Sequence, residues 1–442
     1  MEAFFILAYM KKINTEELYS IYLKHPNLSK DTRDIANECI YLALKGENFN
    51  GNTFADKALE IGAAYVLIDE EKFWKDERYL LVDNVLESLQ RLANYHRKKL
   101  NIPILAISGS NGKTTTKELI AAALSKKFNT LHTLGNYNNH IGVPLTLLRI
   151  TSEHEIAIIE MGANHQGEIA FLCNIAAPNF GMLTNIGKAH LEGFGGEEGV
   201  RKGKTEMFKY MEKNNGTLFI NVDDSKIRAS VPESVKTVTY SIRETAQCTG
   251  TLTETHPRLI GSWRSDSKSG EINSALYGAY NFHNIIAACT IASHFGVDAA
   301  DIDHAINAYE SDMNRSQLVK KLGADIYLDA YNANPSSMKL ALENFEQSTQ
   351  ENKIVILGDM FELGEVANKE HTAILQQLES SNTINQKILV GQLFMEHQDN
   401  YDQFHFFKTT EEVKKWFKSK RWEKTTILMK GSRGMRLENI LQ

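Results

Sequence analysis

Short apolar runs recur along the chain, separated by longer segments of mixed polarity. Ile104-Leu105-Ala106-Ile107, Ile156-Ala157-Ile158-Ile159 and Leu218-Phe219-Ile220 are unbroken apolar stretches, the pattern of strands covered on both faces. A helix is expected from about Lys113 to Phe128, directly after the first of them. That alternation predicts βαβ units and a parallel sheet. Between about 236 and 277 polar and apolar residues alternate singly, as in Thr237-Val238-Thr239-Tyr240, which predicts a small antiparallel addition. After Arg315 the runs begin afresh with Ile326-Tyr327-Leu328, Ile354-Val355-Ile356-Leu357, Ile388-Leu389-Val390 and Ile427-Leu428-Met429. The restart predicts a separate C-terminal α/β domain of Rossmann-like type. The first ~95 residues carry mixed signals and a patch around Gly46 and Gly51, and predict a smaller α/β domain. The expected organisation is therefore α/β in three domains, 1–98, 99–312 and 313–442.

Composition narrows the function classes. Hydrophobic residues make up 42% and charged residues 24% of 442, so each domain has the means to bury a core. Lysine plus arginine number 49 against 55 acids, a formal charge of −6, which argues against a general nucleic-acid binder. Cys39, Cys173, Cys248 and Cys289 lack any metal-binding spacing and read as buried reduced thiols of a cytoplasmic protein. The apolar opening Ala3–Met10 is too short for a membrane span, which needs about 20 residues, and lacks the flanks of a secretory signal.

The chemistry concentrates at the ends of the apolar runs. Ser108-Gly109-Ser110-Asn111-Gly112-Lys113-Thr114-Thr115 lies between a strand and a helix, the context of a phosphate loop. Glycines turn backbone amides toward phosphates, and the helix N-terminus adds positive potential. Lys113 is placed to reach the β and γ phosphates of ATP, and Thr114 to ligate magnesium. The loop is a variant, since Ile107 stands where the first glycine of the common pattern falls. Its central domain is thus expected to be a P-loop, parallel-sheet ATPase domain. Glu160 ends the second apolar run, where a carboxylate suits magnesium. The next run leads to Thr184-Asn185-Ile186-Gly187-Lys188-Ala189-His190, in which His190 could ligate a second cation or touch a phosphate. Lys202 and Lys204 follow on what composition alone reads as a helix surface.

Taken together, these motifs resemble those of the Mur ligase family over almost the whole chain. Asp31-Thr32-Arg33 and Tyr41 to Glu47 look like its uridine-nucleotide segment, although Asn50-Gly51-Asn52 stands where the family has Asp-Gly-His. Gly135 to Pro144, including Asn136, Asn138 and Asn139, is similar to a segment facing the muramoyl-peptide. Asp329-Ala330-Tyr331-Asn332-Ala333-Asn334-Pro335, Leu357 to Gly364 and Lys430-Gly431-Ser432-Arg433-Gly434 resemble C-terminal signatures.

The resemblance implies two magnesium sites held by Thr114, Glu160, His190 and Lys204, the last as a lysine carbamate, with Lys202 the alternative. It implies nucleotide contacts from Gly109 to Thr115 and from Asn281, Asn284, Arg315 and Asp329, with Arg315 on the γ-phosphate. Tyr280 departs from the family's usual histidine. Thr32, Arg33, Lys45, Asn136, Asn138, Asn139, Tyr331, Asn332 and Asn334 are the implied substrate contacts. The implied reaction is ATP-dependent ligation of D-alanyl-D-alanine to UDP-N-acetylmuramoyl-tripeptide through an acyl phosphate, with Lys113, His190, Lys204 and Arg315 at its centre and domain closure completing the site. Rival readings are a ligase adding the third stem residue, a folylpolyglutamate-synthase-like ligase, and a nucleotide-gated binding module without ligase activity.

Overall fold

The computed structural model describes residues 11–266, 268–311 and 315–442, so the apolar opening Ala3–Met10 lies outside the described residues. The chain gathers into two compact units. One comprises Met1–Ala106, Leu131–Met161 and Ala170–Pro178; the other comprises Ile107–Thr130, Gly162–Ile169 and Asn179–Gln442.

In the first unit, β1 (Leu28–Ser29) and β2 (Ile40–Leu42) precede a two-stranded hairpin, β3 (Lys45–Gly46) with β4 (Phe49–Asn50). With β5 (Tyr65–Ile68) and β6 (Tyr79–Leu81) they form a parallel sheet in the order β1-β2-β5-β6. Tyr41, Val66, Ile68 and Leu81 share its core with Cys39. Crossover connections are what parallel neighbours require, and the helix Ala55–Ile61 occupies one of them. The helix Val85–Lys99 starts on Asn84, whose side-chain oxygen accepts from the Glu87 N–H at 3.0 Å. It ends in a turn rich in basic residues, which suits the negative end of the helix dipole. β7 (Ile104–Ser108) begins in this unit and leaves it after Ala106. β8 (Thr130–His132) and β9 (Ile156–Glu160) follow, and every residue of β7 and β9 is buried. The apolar runs read from sequence are therefore strands covered on both faces.

In the second unit, β10 (Phe180–Leu183), β11 (Thr217–Asn221), β12 (Lys236–Ser241) and β13 (Cys248–Glu254) pair in parallel. β14 (Leu259–Ser265) and β15 (Ser269–Ser274) then continue antiparallel from β13. The antiparallel expectation for 236–277 is thus corrected at its start: β12 runs parallel to β11, Thr217 opposite Lys236. Single alternation reports one covered face, not strand direction. Direction is set by the connection after β11, which carries the helix Ser225–Arg228. The helix expected to reach Phe128 ends at Leu124, and a further turn closes with Phe128 N–H on the Leu124 carbonyl at 2.9 Å.

The C-terminal part holds β16 (Gln317–Lys321), β17 (Ala324–Asp329), β18 (Lys353–Gly358), β19 (Gln386–Val390), β20 (His405–Phe407) and β21 (Thr425–Lys430). Their order is β16-β17-β21-β18-β19-β20, antiparallel only between β16 and β17. The four strands expected from apolar runs are its buried interior. β16 and β20 are edge strands with exposed residues, and the sequence reading did not mark them. All four cysteines are free and buried. Among the described residues, no helix is long and apolar enough to cross a membrane.

Candidate active site

The phosphate loop opens where β7 ends. Gly109 has φ +136° and Gly112 φ +78°, conformations that a side chain resists. Space forbids one as well: a Cβ on Gly109 would lie 2.0 Å from Thr184 Oγ1, and one on Gly112 3.0 Å from the Asn284 amide. The loop is anchored to the segment after β10. Ser110 N–H donates to the Asn185 carbonyl at 3.0 Å, and Asn111 N–H donates to Asn185 Oδ1 at 3.1 Å. Thr184 Oγ1 donates to the Asn111 carbonyl at 2.6 Å. Lys113 opens the helix and folds its Nζ back onto the carbonyls of Gly109 at 2.8 Å and Ser110 at 3.2 Å. Thr114 and Thr115 are buried in the first turn. The result is a glycine turn running into a helix N-terminus with a lysine curled over it, suited to a polyphosphate.

Asn281 and Asn284 lie on the helix Tyr280–His294, one turn apart. Asn284 Nδ2 donates to Asn281 Oδ1 at 2.9 Å, and Asn281 Nδ2 donates to the Tyr277 carbonyl at 2.6 Å. Tyr280 packs under Gly278 and its hydroxyl meets Ser316 Oγ at 3.1 Å, so the residue that departs from the family pattern is a half-buried spacer. Burial raises its pKa above the usual phenol range.

The C-terminal signatures converge on the same loop. Asn334 caps the helix Pro335–Glu346 through its Oδ1, while its Nδ2 donates to Asn111 Oδ1 at 2.7 Å. The Lys188 N–H donates to Ser336 Oγ at 2.8 Å, and Lys188 Nζ pairs with Glu370 at 2.6 Å. His190 sits at φ +52° with Nδ1 against Glu362 Oε2, and Glu362 itself has φ +61°. That contact holds the Glu362 carboxyl below its ordinary range. Asp329 accepts from Lys430 Nζ at 2.5 Å, Asn332 gives its carbonyl to the same ammonium at 3.3 Å, and the Arg315 guanidinium stacks 3.5 Å from the centre of the Tyr331 ring. Asn185, Lys188, Ser336, Glu362 and Glu370 are members of this assembly that the sequence reading did not single out. Glu362 stands inside the Leu357–Gly364 motif, which was the available signal.

Lys204 and Lys202 differ sharply. Lys204 is 1% exposed at the end of the helix Glu197–Lys204, with Nζ on the Ala163 carbonyl at 3.0 Å and 5.0 Å from the Phe194 ring. Burial, with the Lys113 charge adding to it, drives its pKa well below the usual amine range. Lys202 is exposed and faces Glu198 across 3.9 Å. In the first unit Glu160 is buried at the end of β9, and Asn138 Nδ2 donates to its Oε1 at 2.8 Å. Asn139 is committed to the start of the helix Gly142–Leu147, accepting from the Ile141 and Gly142 amides. The Asn136 carbonyl accepts from the Asn138 amide at 2.7 Å. Near the N-terminal sheet, Lys45 pairs with Asp69 at 2.8 Å and Glu70 at 3.1 Å. Thr32 precedes Arg33, which turns to Asp31 at 2.6 Å and is exposed. Asn50 and Asn52, standing where the family has Asp and His, bond to each other, and Asn52 Nδ2 reaches Asp69 Oδ1 at 2.9 Å. Among the described residues, no group of three or more His, Cys, Asp or Glu is arranged to hold a metal.

The Mur ligase middle domain matches residues 107–292, and the Mur ligase glutamate ligase domain matches residues 314–433. Over 437 residues the chain is 32% identical to the UDP-N-acetylmuramoyl-tripeptide--D-alanyl-D-alanine ligase of Bacillus subtilis (strain 168), covering 94% of this chain and 92% of the relative. Its fold is similar to that of MurF from Acinetobacter baumannii, with a TM-score of 0.84 and 28% identity over 94% of this chain and 92% of that one. It is similar also to the MurF ligase from Thermotoga maritima in complex with ADP, with a TM-score of 0.81 and 25% identity over 94% and 96%.

Proposed function

The chain belongs to the Mur ligase family, and on that premise we propose that it joins D-alanyl-D-alanine to UDP-N-acetylmuramoyl-tripeptide with cleavage of ATP to ADP and phosphate. The reading places it in the cytoplasm, in peptidoglycan precursor synthesis. The observation that carries it is the bond of Asn334, in the C-terminal signature, to Asn111 of the phosphate loop. That contact supports a role for the signature beside the phosphate loop, where the peptide carboxylate would be activated. Residues 1–98 would hold the uridine nucleotide, 99–312 the ATP and 313–442 the incoming amine.

In this mechanism the tripeptide carboxylate attacks the γ-phosphorus in line, and the bond to the ADP oxygen breaks. The dipeptide amine then attacks the acyl carbon, loses its proton, and phosphate leaves. The N-terminus of the helix Lys113–Leu124 and the Lys113 ammonium hold the phosphates and offset the charge gathering on the transferring group. Arg315, braced on Tyr331, approaches the γ-phosphate from the C-terminal side. Thr114, Glu160, His190 and a carbamate on Lys204 would hold magnesium, which neutralises phosphoryl charge when bound. The residues fit. The buried Lys204 amine is held toward its neutral form, the one that adds carbon dioxide, and the product is an oxygen ligand of the kind magnesium prefers. Asn138 orients Glu160, and Glu362 fixes the Nδ1 side of His190, leaving Nε2 for a ligand.

A third-residue ligase is disfavoured because its usual Asp-Asn-Pro-Arg motif is missing from the sequence. Release of phosphate from ATP tests the reading. It is expected only when muramoyl-tripeptide and D-alanyl-D-alanine are both supplied; release with glutamate and a folate, or none with both proper substrates, defeats it.

A further inference from the structure

We propose that Arg433 recognises the terminal carboxylate of the incoming dipeptide, with Phe361 supplying an apolar wall beside it; this rests on the ligation reading above. A dipeptide carries its carboxylate about 7 Å from its amine when extended. The anion therefore needs a cation near the acyl centre but outside the phosphate cradle. Most cations around the signature loop are already engaged. Lys430 is buried on Asp329, Lys188 is paired with Glu370, and Arg315 lies flat on Tyr331 with its Nε buried.

Arg433 is different in placement. Its side chain is 59% exposed, and one nitrogen, Nη1, is braced by Glu438 at 2.9 Å. A guanidinium is a planar fork of five donors, so the brace fixes its plane and leaves others for a bidentate carboxylate. It stands 5.8 Å from the Tyr331 ring, on the signature loop that Asn334 ties to the phosphate loop. The backbone around it is pinned to that loop and to Phe361: Ser432 Oγ donates to the Ala333 carbonyl at 3.4 Å and accepts from the Phe361 N–H at 2.9 Å. Gly434 has no side chain because the Phe361 ring fills the place, 2.8 Å from where its Cβ would be. A 41%-exposed aromatic ring is thereby fixed against the backbone of the residue that follows Arg433. Methyl against ring and carboxylate against fork is the chemistry of a D-alanine terminus. The three loops follow β17, β18 and β21, at the strand carboxyl ends where α/β sheets take ligands.

The test compares D-alanyl-D-alanine with D-alanyl-D-alaninamide, which lacks the charge. The native enzyme is expected to prefer the acid. Arg433→Met should raise KM for the acid roughly ten- to a hundredfold, the cost of one charge-assisted pair, and erase the preference. KM for ATP and for the tripeptide should stay at native values, which also reports an intact fold. Arg433→Lys should keep part of the preference. An Arg433→Met enzyme that still favours the acid, or whose KM rises for ATP instead, overturns the assignment. A native enzyme that ligates neither dipeptide refutes the ligation reading itself.

Discussion

Lys204 shows how much one residue's surroundings decide. In sequence it is one of two lysines in Arg201-Lys202-Gly203-Lys204, and nothing local separates them. In the fold one is solvated beside Glu198 and the other is sealed under Phe194. A buried amine with no carboxylate at bonding distance among the described residues is costly as a cation and reactive as a neutral base. Lys204→Ala is expected to lower kcat by about a hundredfold or more, the scale of losing one positioned charge in an active site. Small carboxylates such as formate should restore part of the rate to that variant. Lys204→Arg should stay inactive, because a guanidinium forms no carbamate; a Lys204→Arg enzyme with native turnover would remove the carbamate from the mechanism.

At the scale of elements, function rests on the joints where strands end. The turn from β7 into the helix Lys113–Leu124 works because Gly109 and Gly112 take left-handed φ values and leave room for Thr184 and Asn284. Gly109→Ala should raise KM for ATP at least roughly tenfold and cost stability on the order of 1–3 kcal/mol, from backbone strain and collision together. Gly46→Ala is the control, since its nearest neighbour would be 3.9 Å away. Calorimetry and ATP titration of the two variants should diverge, and equal behaviour would mean that the loop relaxes without penalty. The phosphate loop was legible in sequence because its geometry is local: strand, glycines, lysine and helix are consecutive. The direction of β12 was not, because alternation in Thr237–Tyr240 records which face is covered and leaves the partner strand unspecified. β16 and β20 escaped for the related reason that an edge strand needs only a short apolar stretch, such as Leu318-Val319 or Phe406-Phe407.

Across the whole molecule, imidazoles partly or wholly withdrawn from water couple stability to pH. Full or partial burial lowers the pKa of His96, His256, His283 and His371 below the ordinary 6.5. His96 illustrates the cause, being enclosed with Nε2 on the Ile150 carbonyl at 2.8 Å. The sign follows from proton uptake. Below about pH 6.5 the unfolded chain binds protons that the folded one rejects, so folding loses free energy as pH falls. Thermal melting is expected to drop by several degrees between pH 7.5 and 5.5, and His96→Gln should flatten part of that slope. A melting temperature that is level across the interval, or rises toward acid, would contradict it.

By itself the sequence determined the α/β alternation, the phosphate loop and the C-terminal signatures, because each is written in neighbouring residues whose geometry is fixed by short-range sterics and burial. Tertiary structure decided which lysine is desolvated, that Asn334 bonds to Asn111 across 223 positions, that Glu362 meets His190, and that Glu438 braces Arg433. Desolvation and pairing depend on what the rest of the chain brings alongside, and a linear pattern carries no record of distance in space.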